Sequence, residues 1–274
     1  MMNWTAAIKR ATRRHSVPVC ANEYCSARAW QRWARRDAGI YVNGRWFCGS
    51  ACVEPAMLSL IPGSETSSVE SAARTHRLPL GLLMLSRGVI DETQLKMALG
   101  VQSERPTMKI GRCLETLGAV TAEEVTRALG AQHCLPVLLA FDPDMDSGVP
   151  LTLLEASRCV AFRGKYHPGL VYLGFDGGVD RSLVQATELV LGTECEPCIV
   201  ETAVIEEYLE LRRQRHSCDE VVFATRSSTL EILRSIESYI ERLRADAVRI
   251  ASTREYLWVL LTGLRTTDLL FRFR

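Results

Sequence analysis

The 274-residue sequence predicts an α+β fold made of three successive units. Two pairs of cysteines near the N-terminus indicate a small zinc-ribbon or treble-clef module. A repeat with an offset of 30 residues indicates a tandem helical hairpin, and strand-like runs alternate with helix-like runs beyond it. We therefore expect domains at 1–60, 70–215 and 226–274. The first boundary is a Gly/Ser/Thr stretch near 62–68, and the second lies near 216–226, where one helical pattern ends before another begins.

Composition sets only broad limits on function. The chain is 47% hydrophobic and 24% charged, as is usual for a globular protein, and its net charge of +1 gives no general attraction to nucleic acid or membrane. Residues 1–14 lack the apolar core of a secretory signal, and no stretch approaches the roughly 20 apolar residues of a membrane span. We expect a cytoplasmic protein, in which the ten cysteines stay reduced.

Four cysteines in the first unit have the spacing of metal ligands. Cys20 and Cys25 precede an Asn43-Gly44 pair typical of a type I′ hairpin turn, and Cys48 and Cys52 follow it at helical i, i+4 spacing. Both pairs can then converge on one tetrahedral structural Zn²⁺, which a unit of this size generally needs. The alternative is four buried free thiols.

The same unit is rich in tryptophan and arginine. It holds four of the five tryptophans, and the first forty residues carry eight Lys or Arg against two acids. Such residues beside a zinc module could bind nucleic acid. We expect instead that Trp4, Trp30, Trp33 and Trp46 form the core of the module and that the arginines solubilise it.

The remaining cysteines are interpreted as core residues. A second group, Cys195, Cys198, His216 and Cys218, could bind metal in principle, but a predicted strand and a full helix separate its members. Ordinary buried thiols are the better interpretation for them and for the three other cysteines, Cys113, Cys134 and Cys159.

Each copy of the repeat at 79–132 predicts two helices joined by a glycine. Gly88 and Gly118 stand where a helix C-terminus needs a left-handed residue. The next helix restarts at a capping box, which is Asp91 with Gln94 in the first copy and Thr121 with Glu124 in the second. An apolar seam then ends in a glutamine in each copy.

The rest of the chain predicts alternating helices and strands. We expect strands at 159–162, 170–175 and 196–200 and helices at 181–191 and 201–213, forming an α/β part at 135–215. A capping box of Ser228 with Glu231 begins a C-terminal helix, followed by strands at 247–250, 256–261 and 268–274. We expect this last element to be a stabilising cap; a dimer-forming edge is the alternative.

With both copies in view, residues 79 to about 213 resemble the MshEN domain, the N-terminal domain of type II secretion and type IV pilus assembly ATPases. That family carries a duplicated Arg-Leu-Gly motif ending in Gln, and members with the complete motif bind cyclic di-GMP. The resemblance implies a cyclic di-GMP site and a protein partner in secretion or pilus machinery. The site residues implied are Leu80, Gly81, Leu83, Met84, Gly88, Leu95, Leu99, Gln102, Lys109, Ile110, Gly111, Leu114, Gly118, Leu129 and Gln132.

The sequence departs from the motif at its first position. Pro79 and Lys109 stand where the family has arginine. Arginine offers guanine a two-pronged donor, whereas lysine is a point charge and proline donates nothing. Arg77 is a candidate substitute in the first copy. The alternative is that the glycines and leucines serve hairpin packing alone.

No phosphate-binding motif of an ATPase occurs in the sequence. The nearest candidate, Gly164-Lys165, has Cys159 in place of the first glycine and Tyr166 in place of the hydroxyl. We therefore expect a non-catalytic regulatory protein. Three hypotheses remain open: a cyclic di-GMP sensor, a nucleotide-independent adaptor, and a zinc-dependent nucleic-acid binder.

Overall fold

The computed structural model describes residues 18–61, 77–139, 147–164, 167, 169–215, 220–223 and 228–272. No helix within these ranges is both long and apolar enough to cross a membrane. The described helices are α1 (Ala29–Ala34), α2 (Ser50–Leu60), α3 (Leu80–Ser86), α4 (Glu92–Glu104), α5 (Ile110–Thr116), α6 (Ala122–His133), α7 (Leu151–Ser157), α8 (Arg181–Leu191), α9 (Thr202–Gln214) and α10 (Thr229–Leu243). The described strands are β1 (Ile40–Val42), β2 (Arg45–Phe47), β3 (Cys159–Arg163), β4 (Leu170–Phe175), β5 (Glu194–Ile199), β6 (Glu220–Phe223), β7 (Ala247–Ser252), β8 (Tyr256–Thr262) and β9 (Thr266–Arg272).

The chain forms two compact units, and the predicted α+β class is confirmed. One unit, called here the end unit, combines residues 1–63 with 219–274; the other, the middle unit, is residues 64–218. Separate domains at 1–60 and 226–274 were expected, so this pairing of the two ends is a correction. The physical reason is that a hairpin with three-residue strands such as β1–β2 is too small to be stable alone.

A six-stranded mixed sheet joins the two ends of the chain. Its strand order is β2-β1-β7-β8-β9-β6, with β1 parallel to β7 and β6 parallel to β9. Asn43 lies in the predicted hairpin turn and also binds the main chain of β7. Its side-chain Nδ2 donates to the Ile250 carbonyl at 3.1 Å, and its Oδ1 accepts from the Ile250 N–H at 2.8 Å. β6 lies in the stretch expected to be a boundary, where it forms an edge of the sheet.

One hydrophobic core holds the end unit together. Met57 of α2, Ile236 of α10 and Val248 of β7 are fully buried in a cluster that also includes Cys48 and Cys52. The capping box that begins α10 is confirmed, since Ser228 and Glu231 exchange side-chain to backbone hydrogen bonds. Trp46 is buried as expected, but Trp30 and Trp33 are exposed, so the expected tryptophan mini-core is wrong for these two residues. Trp4 lies outside the described residues.

The middle unit begins with two helical hairpins, α3–α4 and α5–α6. Both capping boxes are confirmed, and Gly88 and Gly118 have the left-handed backbone that stops α3 and α5, with φ of 67° and 68°. Met84 and Leu114, at the same position in the two copies, are fully buried in one shared core.

A three-stranded sheet in the order β3-β4-β5 follows, with α7, α8 and α9 around it. β3 is antiparallel to β4, and β4 is parallel to β5. The segment after α6 extends this sheet, because the Leu138 N–H donates to the Ile199 carbonyl and the Ile199 N–H donates to the Pro136 carbonyl. The hairpins are thereby attached to β5. The bounds of β4 and α8 match the predictions, whereas α7 was not predicted.

Candidate metal centre and candidate ligand cleft

Four cysteine sulfurs converge in the end unit. Cys20 and Cys25 come from the loop before α1, Cys48 follows β2 and Cys52 lies in the first turn of α2. All four Sγ atoms lie within 4.8 Å of one another, with Cys25 to Cys48 at 3.6 Å and Cys48 to Cys52 at 3.8 Å. A tetrahedron with Zn–S bonds of about 2.3 Å has edges of about 3.8 Å, whereas a disulfide needs about 2.05 Å. The donor set and its spacing therefore fit one Zn²⁺.

The surroundings of these thiols differ. A hydrogen bond from the Ala27 backbone N–H lowers the pKa of Cys25 to about 7. Burial raises the pKa of Cys48 to about 12 and also raises the pKa of Cys52. Four thiolates this close together repel one another, and a divalent cation removes that cost because it binds thiols in their deprotonated form.

The other described cysteines do not form a metal centre. Cys113 and Cys159 are fully buried, as predicted, and burial raises the pKa values of Cys195 and Cys198 to about 12 each. Cys134 is a correction: it is exposed and ends α6 in a left-handed conformation. His216 and Cys218 lie outside the described residues.

A cleft of about 670 Å³ lies in the middle unit, between the second hairpin and the three-stranded sheet. Two segments close one side of it. They are the loop 176–178 after β4 and residues 200–203 after β5, which include the start of α9. Because these strands are parallel, both segments emerge at the same edge of the sheet. Five of the predicted site residues line the cleft: Leu80, Lys109, Ile110, Gly111 and Leu129.

Charged groups of both signs line this cleft. Lys109 Nζ lies 3.4 Å from Asp176 Oδ1, in a pair whose lysine is largely exposed and whose aspartate is mostly covered. The other oxygen of Asp176 accepts from the Thr202 hydroxyl at 3.3 Å. Arg112 also lines the cleft and pairs with Glu115 at 2.7 Å. The loosely held Lys109 ammonium is therefore available to an incoming anion at small cost, since exposed ion pairs are weak.

His133 and Arg77 meet at the end of the second hairpin. Arg77 Nη1 lies 2.9 Å from His133 Nδ1, and His133 lines the cleft. Burial, with a contribution from the Arg77 charge, lowers the pKa of His133 and so favours its neutral ring. Arg77 therefore lies next to the cleft, because it contacts His133, which lines the cleft.

The two glutamines bind the main chain of the opposite copy. Gln102 Nε2 donates to the Met108 carbonyl at 3.0 Å, and Gln132 Nε2 donates to the Leu78 carbonyl at 2.7 Å. Each of these carbonyls lies two residues before a helix, α5 or α3 respectively. The glutamines therefore link the two copies to each other, and one N–H of each amide is engaged without any ligand.

The remaining predicted site residues are not brought to the cleft. Met84, Leu95 and Leu114 are buried in the hairpin core, and Gly88 and Gly118 serve as helix stops. In the first copy, Leu83 is half-buried, while Leu99 is 50% exposed. The alternative interpretation, that the motif serves hairpin packing, agrees with the burial of Met84, Leu95 and Leu114.

Gly81 and Gly111 allow their two helices to approach closely. A Cβ atom added at Gly81 would lie 2.6 Å from Leu95 Cδ1, and one added at Gly111 would lie 2.7 Å from Val125 Cγ1. The leucine terminus can rotate away, but valine is held in one rotamer in a helix. The two equivalent glycines thus have different tolerance for a side chain.

This difference predicts that Gly111→Ala destabilises the middle unit more than Gly81→Ala does. We expect Gly111→Ala to lower the free energy of unfolding by about 1–2 kcal/mol through overpacking. Both variants gain the better helix propensity of alanine, up to about 1 kcal/mol, and in Gly81→Ala this gain offsets the smaller strain. Urea denaturation of both variants measures the difference, and equal losses would contradict the packing argument.

Several residues that line the cleft were missed by sequence reasoning. Asp176, Gly177 and Gly178 follow β4, and Thr202 follows β5. A signal was present: an Asp-Gly-Gly run directly after a buried strand is typical of loops at the carboxyl edge of a parallel sheet. That signal has meaning only once β4 and β5 are known to be parallel neighbours.

No protein-family model and no curated protein matches this sequence. Solved structures similar to it include one of MshE with cdg (cyclic di-GMP), with 20% identity and a TM-score of 0.40, covering 49% of this chain and 99% of that one. They also include the N-terminal domain of XpsE in two crystal forms, with TM-scores of 0.35 and 0.29 and identities of 17% and 19%. Each XpsE match covers 53% of this chain and 97% of the other. Each of these matches spans about half of this chain and nearly all of the other one.

Proposed function

We propose that the middle unit is a non-catalytic module that binds cyclic di-GMP in the cleft on the second hairpin. In this proposal the chain regulates type II secretion or type IV pilus machinery, as the MshEN resemblance implies. The observation that carries the proposal is that five motif residues line one cleft, which the segments 176–178 and 200–203 close. Its volume is within the range of small-molecule sites, roughly 300–1,000 Å³.

The groups in the cleft suit a guanine nucleotide. Ile110 and Leu129 offer an apolar surface to a purine ring, and Lys109 offers a positive charge to a phosphate. Asp176 presents carboxylate oxygens, which are the acceptors that the N1–H and exocyclic amine of guanine require. On binding, the weak Lys109–Asp176 pair would be exchanged for contacts of both residues with the ligand.

The proposal is asymmetric between the two copies. In the first copy, Pro79 stands at the position of Lys109 and carries no charge. Leu99 stands at the position of Leu129, but it is exposed and does not line the cleft. We therefore place the main contacts on the second copy. Arg77 contributes from the edge through its contact with His133.

Isothermal calorimetry with cyclic di-GMP on the full chain tests this function. Wild type is expected to bind, and Lys109→Ala and Asp176→Asn are each expected to bind about 10- to 100-fold more weakly, since each loses a charge-assisted contact. Lys96→Ala is the matched control, because Lys96 is an exposed lysine on α4 that does not line the cleft.

Two results would contradict the proposal. The first is no heat of binding with folded wild-type protein. The second is equal affinity for cyclic di-AMP, which lacks the guanine donors that Asp176 is proposed to accept.

A nucleotide-independent adaptor is the second candidate. The observation that favours it is the exposed apolar surface of the first copy, where Leu78, Leu82 and Leu99 are each about half exposed. This candidate requires partner capture without cyclic di-GMP. That capture should be lost on replacing Leu82 and Leu99 by Ser and unchanged in Lys109→Ala.

We also propose that Cys20, Cys25, Cys48 and Cys52 hold a structural Zn²⁺ in a zinc-ribbon or treble-clef arrangement. The convergence of the four sulfurs at spacings near those of a ZnS₄ tetrahedron supports it. Four cysteine ligands leave no coordination position for water, so the role is to stabilise the end unit.

A further inference from the structure

Helix α1 presents two tryptophans to solvent beside the cysteine centre. The helix buries none of its residues, and the side chains of Trp30 and Trp33 are 64% and 55% exposed. Exposed tryptophans are costly in water, and the core of the unit closes without them around Trp46 and Phe47. Trp30 and Trp33 therefore do not stabilise the core, and these two side chains are available for a binding role.

Two local polar contacts support the start of α1 without using the tryptophans. Gln31 Oε1 accepts from the Arg28 N–H at 2.8 Å, and Arg32 Nη1 donates to the Ala27 carbonyl at 3.2 Å. Gln31 and Arg32 are half-buried, whereas Ala29, Trp30, Trp33 and Ala34 are exposed. One side of the helix is thus partly covered, and the other offers a small aromatic face to solvent.

Arginines surround this aromatic face. Arg28, Arg35 and Arg36 are exposed, and Asp37 is the one acidic residue in the sequence from Tyr24 to Arg45. Every basic residue of that stretch is arginine, whose planar fork binds phosphate with two parallel hydrogen bonds. The Arg36 guanidinium lies 5.1 Å from the centre of the Trp33 ring, in a cation–π contact. The surface is positive and aromatic at once.

We propose that this α1 surface, formed by Trp30 and Trp33 with Arg28, Arg35 and Arg36, binds single-stranded nucleic acid. Bases stack on the indole rings, and the three guanidinium groups contact the phosphates. Stacking on exposed aromatic rings inside a positive surface is how single strands are bound without sequence preference. This site is in the end unit and does not depend on the proposed cyclic di-GMP function.

The same residues fit a membrane surface less well. Residues 24–38 contain no leucine, isoleucine, valine, phenylalanine or methionine, so the apolar face of α1 is two indole rings and two alanines. Helices that lie in a membrane interface bury a wide apolar face of large residues. Flat rings without aliphatic neighbours suit bases better than acyl chains.

Fluorescence anisotropy of labelled single strands tests the proposal on the full chain. The probes are an oligo-dT and an oligo-U, each of about 20 nucleotides, long enough for such a site. With three phosphate contacts, the affinity is expected to fall about 20-fold between 50 and 200 mM salt. Arg35→Ala with Arg36→Ala leaves one contact and reduces that fall to about threefold. Arg234→Ala, an exposed arginine on α10, is the matched control and should match wild type.

Two double variants test whether binding depends on stacking of bases on the rings or only on burial of apolar surface. Trp30→Leu with Trp33→Leu keeps an apolar surface but removes the rings, and should weaken binding by at least about tenfold. Trp30→Phe with Trp33→Phe keeps the rings and should stay within about threefold of wild type. Because these side chains are exposed, neither variant threatens the fold, and circular dichroism checks this.

Three outcomes would overturn the proposal. They are no binding of either strand by wild type, equal binding by the leucine and phenylalanine variants, and salt dependence unchanged in the arginine variant. Binding to vesicles of phosphatidylcholine and phosphatidylglycerol that persists in the leucine variant, without binding to oligonucleotides, would assign the surface to membranes instead.

Discussion

Removing the proposed Zn²⁺, or replacing Cys48 by Ser, is expected to unfold the end unit. Cys48 is buried, and its sulfur lies 3.6 and 3.8 Å from those of Cys25 and Cys52, so its loss breaks the ligand set at its centre. Structural zinc contributes about 10–16 kcal/mol in small modules, which is as large as the whole stability of a typical domain. We expect one zinc per chain by mass spectrometry, and loss of the end-unit thermal transition after treatment with a strong chelator.

Acid should release the metal as well, because protons compete with zinc for the thiolates. Cys134→Ser is the control, since Cys134 is exposed and distant in sequence from the centre, and it should keep both zinc and stability. An end unit that melts at the same temperature with and without chelator would refute the structural role of the metal.

Ile236→Ala is expected to destabilise the end unit by about 2–5 kcal/mol and to make zinc release easier at the same time. Ile236 is fully buried on α10 in the core that also contains Cys48, Cys52 and Met57 from the other end of the chain. A cavity there weakens the support of the cysteine centre, although residue 236 is far from it in sequence. Thermal unfolding followed together with zinc release, using a colorimetric chelator, measures both effects.

Leu264→Ala is the matched control, because Leu264 is 73% exposed in the same unit and should change stability by less than about 0.5 kcal/mol. If Ile236→Ala lowered the melting temperature of the sheet while zinc release stayed unchanged, the two ends would not unfold as one unit.

Local sequence signals were informative because their partners are close in the chain. The capping boxes at Asp91, Thr121 and Ser228 each satisfy backbone groups within four residues. Asn43-Gly44 fits a hairpin turn because both residues adopt positive φ there. The spacing of the four cysteines belongs to the same class, since a hairpin and one helical turn are enough to bring them together.

The candidate cleft was only half predictable. Lys109, Ile110, Gly111 and Leu129 could be named from a repeated motif, whereas Asp176 and Thr202 contribute only because β4 and β5 are parallel neighbours. Two leucines that the motif implies as ligand contacts also differ in their surroundings. Leu114 is enclosed in the hairpin core, but Leu129 faces the cleft.

The sequence by itself determined the α+β class, the paired hairpins and the convergence of four cysteines, because helix caps, tight turns and short cysteine spacings depend on neighbours in the chain. Only the tertiary structure decided that the two ends share one sheet, through contacts such as that of Asn43 with Ile250, 207 residues away. It also decided that Trp30 and Trp33 face solvent. The physical reason is that strand pairing and burial depend on which distant segments lower the total free energy together, and no local pattern encodes that choice.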